Sequence, residues 1–174
     1  MDHVISGVAK FQKEVYPNKK ATFQKLATGQ NPEVLFITCS DSRIDPNLVT
    51  QTDPGELFIC RNAGNIVPPH SNQTGGMTAS IEFAVAALGV SHIVICGHTD
   101  CGAMKGAINP EGLSALPHVK EWLGHCRVAT EVVKERCGHS DLSIDDLEAV
   151  TKENVVQQIQ HLRTHPAVAA KIAT

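Results

Sequence analysis

The sequence lacks several features that would point to particular classes of protein. It has no apolar run long enough to cross a membrane, and residues 1–4 lack the charged start and long apolar stretch of a signal peptide. It also has no cluster of lysine and arginine, and its formal net charge of -3 gives no reason to expect a polyanionic partner. These absences predict a cytoplasmic protein that binds neither nucleic acid nor membrane.

Cysteine is present, but without the short spacings of a disulfide framework. The six cysteines are scattered along the chain, which favours a reducing compartment and metal binding. With 174 residues, of which 42% are hydrophobic and 19% charged, the chain is long enough to bury a core as a single domain.

Two apolar runs, 34–38 and 93–97, each lead into residues that bind metals. The first is followed by Cys39, and the second by His98 and Cys101. The carboxyl ends of neighbouring parallel strands meet at one edge of a sheet, where α/β proteins place their ligands. Two thiolates and an imidazole suit Zn²⁺ with a fourth position left over. The sequence therefore predicts a zinc site at this edge.

Asp41 and Arg43 follow Cys39 closely and predict a buried ion pair beside the metal. Two buried opposite charges are costly, so the pair is expected to have a chemical role. Because no fourth Cys or His is evident nearby, a purely structural zinc site is disfavoured.

Strands alternating with helices predict an α/β fold, with a mainly parallel sheet flanked by helices and preceded by a two-helix arm. Asp2 is expected to cap the first helix, and Ser143 with Asp146 forms a weak capping signal for a later one. Three or four strands are expected, of which the clear ones are 34–38, 57–60 and 92–97. Helices are expected at 2–15, 19–28, 77–88, 103–108, 116–137 and 144–161, with short ones after Asp45 and Thr164.

The other cysteines invite a second metal site, which we consider weaker. Cys60 and Cys96 lie inside apolar runs and are expected to be inert core residues. Cys126 and Cys137 lie on polar helices, where His125 or His139 would have to complete a site. Two further histidines, His70 and His118, are expected to be surface residues rather than a dedicated proton shuttle.

The motif Cys39-Ser-Asp-Ser-Arg43 with His98-x-x-Cys101-Gly102 resembles the β-class carbonic anhydrases, most closely the plant-type and cyanobacterial branch. The resemblance implies one zinc per chain held by Cys39, His98 and Cys101, with Asp41 and Arg43 as a catalytic pair. It implies reversible hydration of CO₂ to bicarbonate and a proton by zinc-bound hydroxide. It also implies a homodimer or dimer-based oligomer, whose exchanged N-terminal arms help to build each active site.

The same resemblance suggests substrate-binding residues. Gln30 matches a glutamine that contributes to substrate binding, and Phe58 and Phe83 match apolar positions of the pocket. Phe83 is often tyrosine in relatives, so a hydroxyl group is absent here. Backbone N–H groups near Gly102 are expected to help bind the oxygens of the product.

The chain is predicted to be one domain, 1–174, with an arm at 1–30, a zinc-bearing α/β core at 31–110 and C-terminal helices at 111–174. Family members usually continue with a further strand, whereas this sequence stops at Thr174, so that strand is expected to be missing. Two alternatives stay open: hydrolysis of CS₂ or COS on the same scaffold, or a non-catalytic, zinc-stabilised module of an assembly.

Overall fold

A parallel sheet forms the centre of the fold. A computed structural model describes residues 1–138 and 140–174, and within them the sheet has three strands in the order β2-β1-β3. The strands are β1, Val34–Cys39; β2, Leu57–Asn62; and β3, His92–Cys96. The apolar run of β1 suits the central position, since residues 35–39 are all buried. The predicted fold class is confirmed.

The register of the strands brings their carboxyl ends together. Cys39, the last residue of β1, lies opposite Asn62 of β2, and Thr38 lies opposite Cys96 of β3. The segments that follow the three strands therefore leave the sheet at the same edge.

Helices cover the sheet and connect its strands. They are α1, Asp2–Lys10; α2, Lys20–Leu26; α3, Pro46–Thr50; α4, Gly76–Glu82; α5, Gly102–Ile108; α6, Pro117–Leu123; α7, Arg127–Cys137; α8, Leu147–Leu162; and α9, Pro166–Ile172. Two of them continue as single π-helical turns, α1 through Phe11–Val15 and α4 through Phe83–Ala87. None of the helices in the described ranges has both the length and the apolar character needed to cross a membrane.

The structure corrects two sequence predictions about helices. Asp2 is not an N-cap, because the helix already begins at Asp2 and Met1 precedes it without a side-chain cap. The helix predicted at 116–137 is two helices, separated by a 3₁₀ turn at Gly124–Cys126 where glycine weakens helical continuity. The capping signal of Ser143 and Asp146 is confirmed as a reciprocal capping box ahead of α8.

The N-terminal arm buries none of its residues in its own chain. No residue of α1 or α2 is buried, and the apolar stripe of α1 is exposed at Val4, Ile5 and Val8. The aromatic rings of Phe11, Tyr16 and Phe23 pack on one another, while Lys19 pairs with Asp53 of the main body. The arm thus presents an apolar face that the described residues leave exposed.

Two hydrophobic clusters lie on the main body. One packs around β1 and α4, and it includes Leu35, Ile37 and Ile81. The other includes Cys39 and Cys101 together with buried side chains of α5, α6, α7 and α8. The two cysteines of the predicted metal site are therefore embedded in a packed core.

Candidate metal centre

Cys39, His98 and Cys101 converge at the carboxyl edge of the sheet. Their ligand atoms all lie within 4.8 Å of one another, and the two sulfurs are 3.9 Å apart. Cys39 ends β1 and is 4% exposed, whereas Cys101 precedes α5 and is 1% exposed. Among the residues that the structure describes, this is the one group of three Cys, His or acidic side chains close enough to hold a metal ion.

His98 directs a free nitrogen into this cluster. Its Nδ1 lies 2.9 Å from the carbonyl oxygen of Thr99, which accepts a hydrogen bond from the Nδ1–H tautomer. Its Nε2 is buried and has no hydrogen-bond partner among the described residues. A buried polar atom without a partner is unfavourable, and a metal-binding histidine characteristically donates its other N–H to a carbonyl in this way.

The donor set fits zinc. Tetrahedral zinc with Zn–S bonds of about 2.3 Å separates two thiolates by about 3.8 Å. The two sulfurs are 3.9 Å apart, which matches this separation. Two thiolates and one neutral imidazole leave a fourth position, the arrangement typical of catalytic rather than structural zinc sites.

The two thiols have very different acidities. The pKa of Cys39 is lowered, mainly by its hydrogen bond with Cys101, with further help from the Gly64 N–H and against the effect of burial. The pKa of Cys101 is raised by the same hydrogen bond and by burial. The pair therefore readily presents one thiolate, the form that binds metal.

Asp41 and Arg43 form a two-pronged ion pair at the rim of the cluster. Arg43 donates from Nε to Asp41 Oδ1 at 2.9 Å and from Nη2 to Asp41 Oδ2 at 2.7 Å. Asp41 Oδ2 also lies 3.8 Å from His98 Nε2. Arg43 holds the pKa of Asp41 well below its usual range, so the carboxylate stays ionised.

The expectation that this pair is buried is wrong for Arg43. Its side chain is 56% exposed, against 17% for Asp41. The guanidinium is instead held from the side by Asp100, through Oδ2 at 2.8 Å and the carbonyl oxygen at 2.9 Å. Asp100 adopts a left-handed backbone with φ of 54° and also pairs with Lys105.

Arg61 is a supporting residue that the sequence prediction missed. It donates to three backbone carbonyls of the loop after β1, those of Cys39 at 2.9 Å, Asp41 at 2.7 Å and Ile44 at 2.9 Å. This fixes the loop that carries the ion pair. The sequence does show an arginine near the end of a strand that leads to the same edge of the sheet, and this pattern could have indicated the role of Arg61.

Comparisons with known proteins identify the family. The family model described as carbonic anhydrase matches residues 34–174. The carbonic anhydrase of Synechococcus elongatus is 47% identical over 99% of this chain, and that of Pseudomonas aeruginosa is 48% identical over 97%. The solved structure of the β-carbonic anhydrase CcaA is similar to this chain, with 40% sequence identity and a TM-score of 0.94. The match covers 99% of this chain and 77% of the CcaA chain. The chain belongs to the β-carbonic anhydrase family.

The match covers most of this chain but not all of each relative. The chain spans 63% of the length of the Synechococcus carbonic anhydrase and 76% of that from Pseudomonas. A tetrameric β-carbonic anhydrase of Sordaria macrospora has a TM-score of 0.83 at 32% identity, with 99% of this chain and 85% of that chain covered. The predicted resemblance is confirmed. The relative from Synechococcus agrees with the predicted similarity to the cyanobacterial branch of the family.

Three of the four positions suggested for substrate binding, Gln30, Phe58 and Phe83, lie away from the metal site within one chain. Gln30 lies near the amino end of β1, in a cleft with Leu26 and Gly55. The two ends of this strand, Val34–Cys39, are about 16 Å apart at about 3.3 Å per residue. Phe58 and Phe83 pack on each other at 6.0 Å, but Phe58 pairs in register with Leu35, four residues before Cys39. Gly102 alone adjoins the site, as the first residue of α5.

The remaining cysteines belong to no metal cluster within the described residues. Cys60 is buried, as predicted, whereas Cys96 is only partly buried. Cys126 is fully buried, and burial raises its pKa to about 12, while Cys137 is exposed. His139 lies outside the described residues. His70 and His118 are exposed, as expected.

Proposed function

We propose that this chain catalyses the reversible hydration of CO₂ to bicarbonate and a proton, at a zinc ion held by Cys39, His98 and Cys101. The observation that carries the proposal is the buried, unpartnered Nε2 of His98, which faces two closely spaced sulfurs. Bound there, zinc would act as a Lewis acid that activates water as the nucleophile at neutral pH.

Asp41 would orient the attacking water. Its Oδ2 lies 3.8 Å from His98 Nε2, so it reaches the same space. As an ionised acceptor it can bind an O–H of that water and direct the oxygen lone pair toward CO₂. Arg43 keeps both carboxylate oxygens in place through its two donors, because a guanidinium matches a carboxylate in one plane.

The substrate pocket requires a second copy of the chain. Gln30, Phe58 and Phe83 are the apolar and amide groups that suit a small apolar substrate such as CO₂. Within one chain they lie far along the sheet from Cys39. We therefore assign them to the site of a partner copy in a homodimer or dimer-based oligomer. The tetrameric relative supports this assignment.

Stopped-flow measurement of CO₂ hydration on the zinc-loaded protein tests the proposal. We expect rapid hydration that is lost after chelation of the metal and restored by zinc. Parallel assays with COS and CS₂ test the alternative substrates. Zinc-loaded protein that hydrates CO₂ no faster than buffer would contradict the proposal and favour a non-catalytic module.

The exposed stripe of the arm predicts an oligomer. Val8 is 55% exposed on this stripe. We expect the wild-type protein to sediment as a dimer or larger at micromolar concentration. Val8→Glu should shift it toward monomer and lower CO₂ hydration with it, because a charge in an apolar interface is costly and the monomer lacks the partner's pocket residues.

Gln12→Glu provides the matched control, since it adds the same charge to an exposed polar position of the arm. This variant should sediment and hydrate CO₂ like the wild type. A wild-type protein that is monomeric and fully active would contradict the shared pocket, as would a Val8→Glu variant with unchanged sedimentation and activity.

We also infer that the protein works in a reducing compartment, the cytoplasm. All six cysteines lie within the described residues, and there they are free thiols. Two of them form the metal cluster, which disulfide formation would destroy.

A further inference from the structure

The loop after β2 places a backbone N–H donor next to the metal cluster. Gly64 N–H donates a hydrogen bond to Cys39 Sγ at 3.3 Å. Gly64 has a φ of 84°, and a Cβ there would meet Met104 Cε at 3.0 Å and Ala103 Cβ at 3.1 Å. Glycine is therefore required for both the backbone conformation and the close approach.

The peptide unit that supplies this donor is held at its other end by a tryptophan. Trp122 Nε1 donates to the carbonyl oxygen of Ala63 at 2.9 Å, and that carbonyl belongs to the same peptide as the Gly64 N–H. A peptide is planar and trans, so a donor bound to its oxygen constrains the direction of its N–H. Hydrogen bonds in a row also polarise one another. Trp122, the peptide and the Cys39 sulfur form such a row.

Helix α8 fixes the next peptide of the loop. Asn154 Nδ2 donates to the Gly64 carbonyl at 3.0 Å, and Asn154 Oδ1 accepts from Gln158 Nε2 at 2.9 Å. Gln158 Oε1 accepts from the Val67 N–H at 2.9 Å. Both amide side chains are fully buried. Such groups are tolerated in a core when their hydrogen bonds are satisfied, and here they hold the loop in one conformation.

We propose that Trp122 is a positioning residue of the metal centre, whose indole N–H sets the Ala63–Gly64 peptide so that the Gly64 N–H holds the Cys39 sulfur. The proposal rests on the proposed function, because it takes Cys39 as a metal ligand. The N–H···S bond keeps the sulfur directed at the space that it shares with His98 and Cys101. Hydrogen-bond partners of metal ligands typically change metal affinity by about 10- to 100-fold.

Trp122→Phe tests the proposal, since it keeps an aromatic ring but removes the indole N–H donor. In wild-type protein loaded with a spin-active cadmium isotope, NMR should detect a scalar coupling from the metal through Cys39 to the Gly64 amide proton. In Trp122→Phe this coupling should weaken, and zinc affinity measured by chelator competition should fall about tenfold. The far-UV circular dichroism should stay unchanged. Glu121→Gln, an exposed neighbour on α6, should match the wild type throughout.

Two results would overturn the proposal. One is a Trp122→Phe variant with unchanged coupling and unchanged affinity. The other is a lower affinity with unchanged coupling at Gly64, which would show that the ring acts only by packing. A wild-type protein without any coupling between cadmium and the Cys39 Cβ protons would instead refute the metal ligand on which the proposal depends. The failure of the positioning role and that of the metal site are thus distinguishable.

Discussion

Cys101→Ser is expected to lose most of its bound zinc and to lower CO₂ hydration by about 10³-fold or more, since metal activation supplies several kcal/mol of the catalysis. A serine hydroxyl is a much poorer zinc ligand than a thiolate. Cys101 is 1% exposed within a core cluster. The protein should also unfold at a lower temperature, because metal binding is coupled to folding. Elemental analysis, the stopped-flow assay and thermal unfolding measure the three effects.

Cys137→Ser is the matched control, because the same substitution falls on an exposed cysteine away from the cluster. It should keep one zinc per chain and wild-type activity. The assignment of Cys101 as a ligand fails if the Cys101→Ser protein retains a full complement of zinc.

Arg43→Ala is expected to lower CO₂ hydration by about 10²-fold, the scale of a proton-transfer contribution, while leaving the zinc content nearly unchanged. Arg43 donates to both oxygens of Asp41 and so competes for the oxygens that otherwise reach the metal position. Without Arg43, the ionised carboxylate of Asp41 is free to turn into the metal position that His98 Nε2 faces, 3.8 Å away. There it would take the place of the water. Arg43→Lys should restore little activity, because an ammonium cannot bind both oxygens in one plane.

Two further variants separate this effect from a general loss of charge. Asp41→Asn should keep an accessible metal position but lose orientation of the water, at a cost of about 10²-fold. Arg163→Ala removes the charge of an exposed arginine that follows α8 and should behave as the wild type. Normal turnover in Arg43→Ala across neutral and alkaline pH would contradict the role of the ion pair but leave the zinc ligands unaffected.

The metal cluster could be predicted from the sequence because short local patterns mark each of its residues. Each apolar run ends beside a metal-binding residue, and parallel strands bring such ends together, so Cys39, His98 and Cys101 followed from pattern and topology. Exposure of Arg43 did not follow, since it depends on which part of the fold covers the rim.

The residues that support the cluster depend on tertiary packing. Trp122 and Asn154 lie on helices distant in sequence from Gly64, and nothing in their local pattern shows that they reach its loop. The helix break at Gly124–Cys126, which precedes α7, was also missed. A single glycine in a helical pattern does not decide between continuation and a turn.

X-ray absorption at the zinc edge of the metal-loaded protein identifies the ligands of the metal. We expect zinc to be bound by two sulfurs at about 2.3 Å, one imidazole nitrogen at about 2.0–2.1 Å and one light atom that is not a fourth protein thiolate or imidazole. Zinc bound by four protein sulfur or imidazole ligands, or by nitrogen and oxygen alone, would contradict a catalytic zinc held by Cys39, His98 and Cys101.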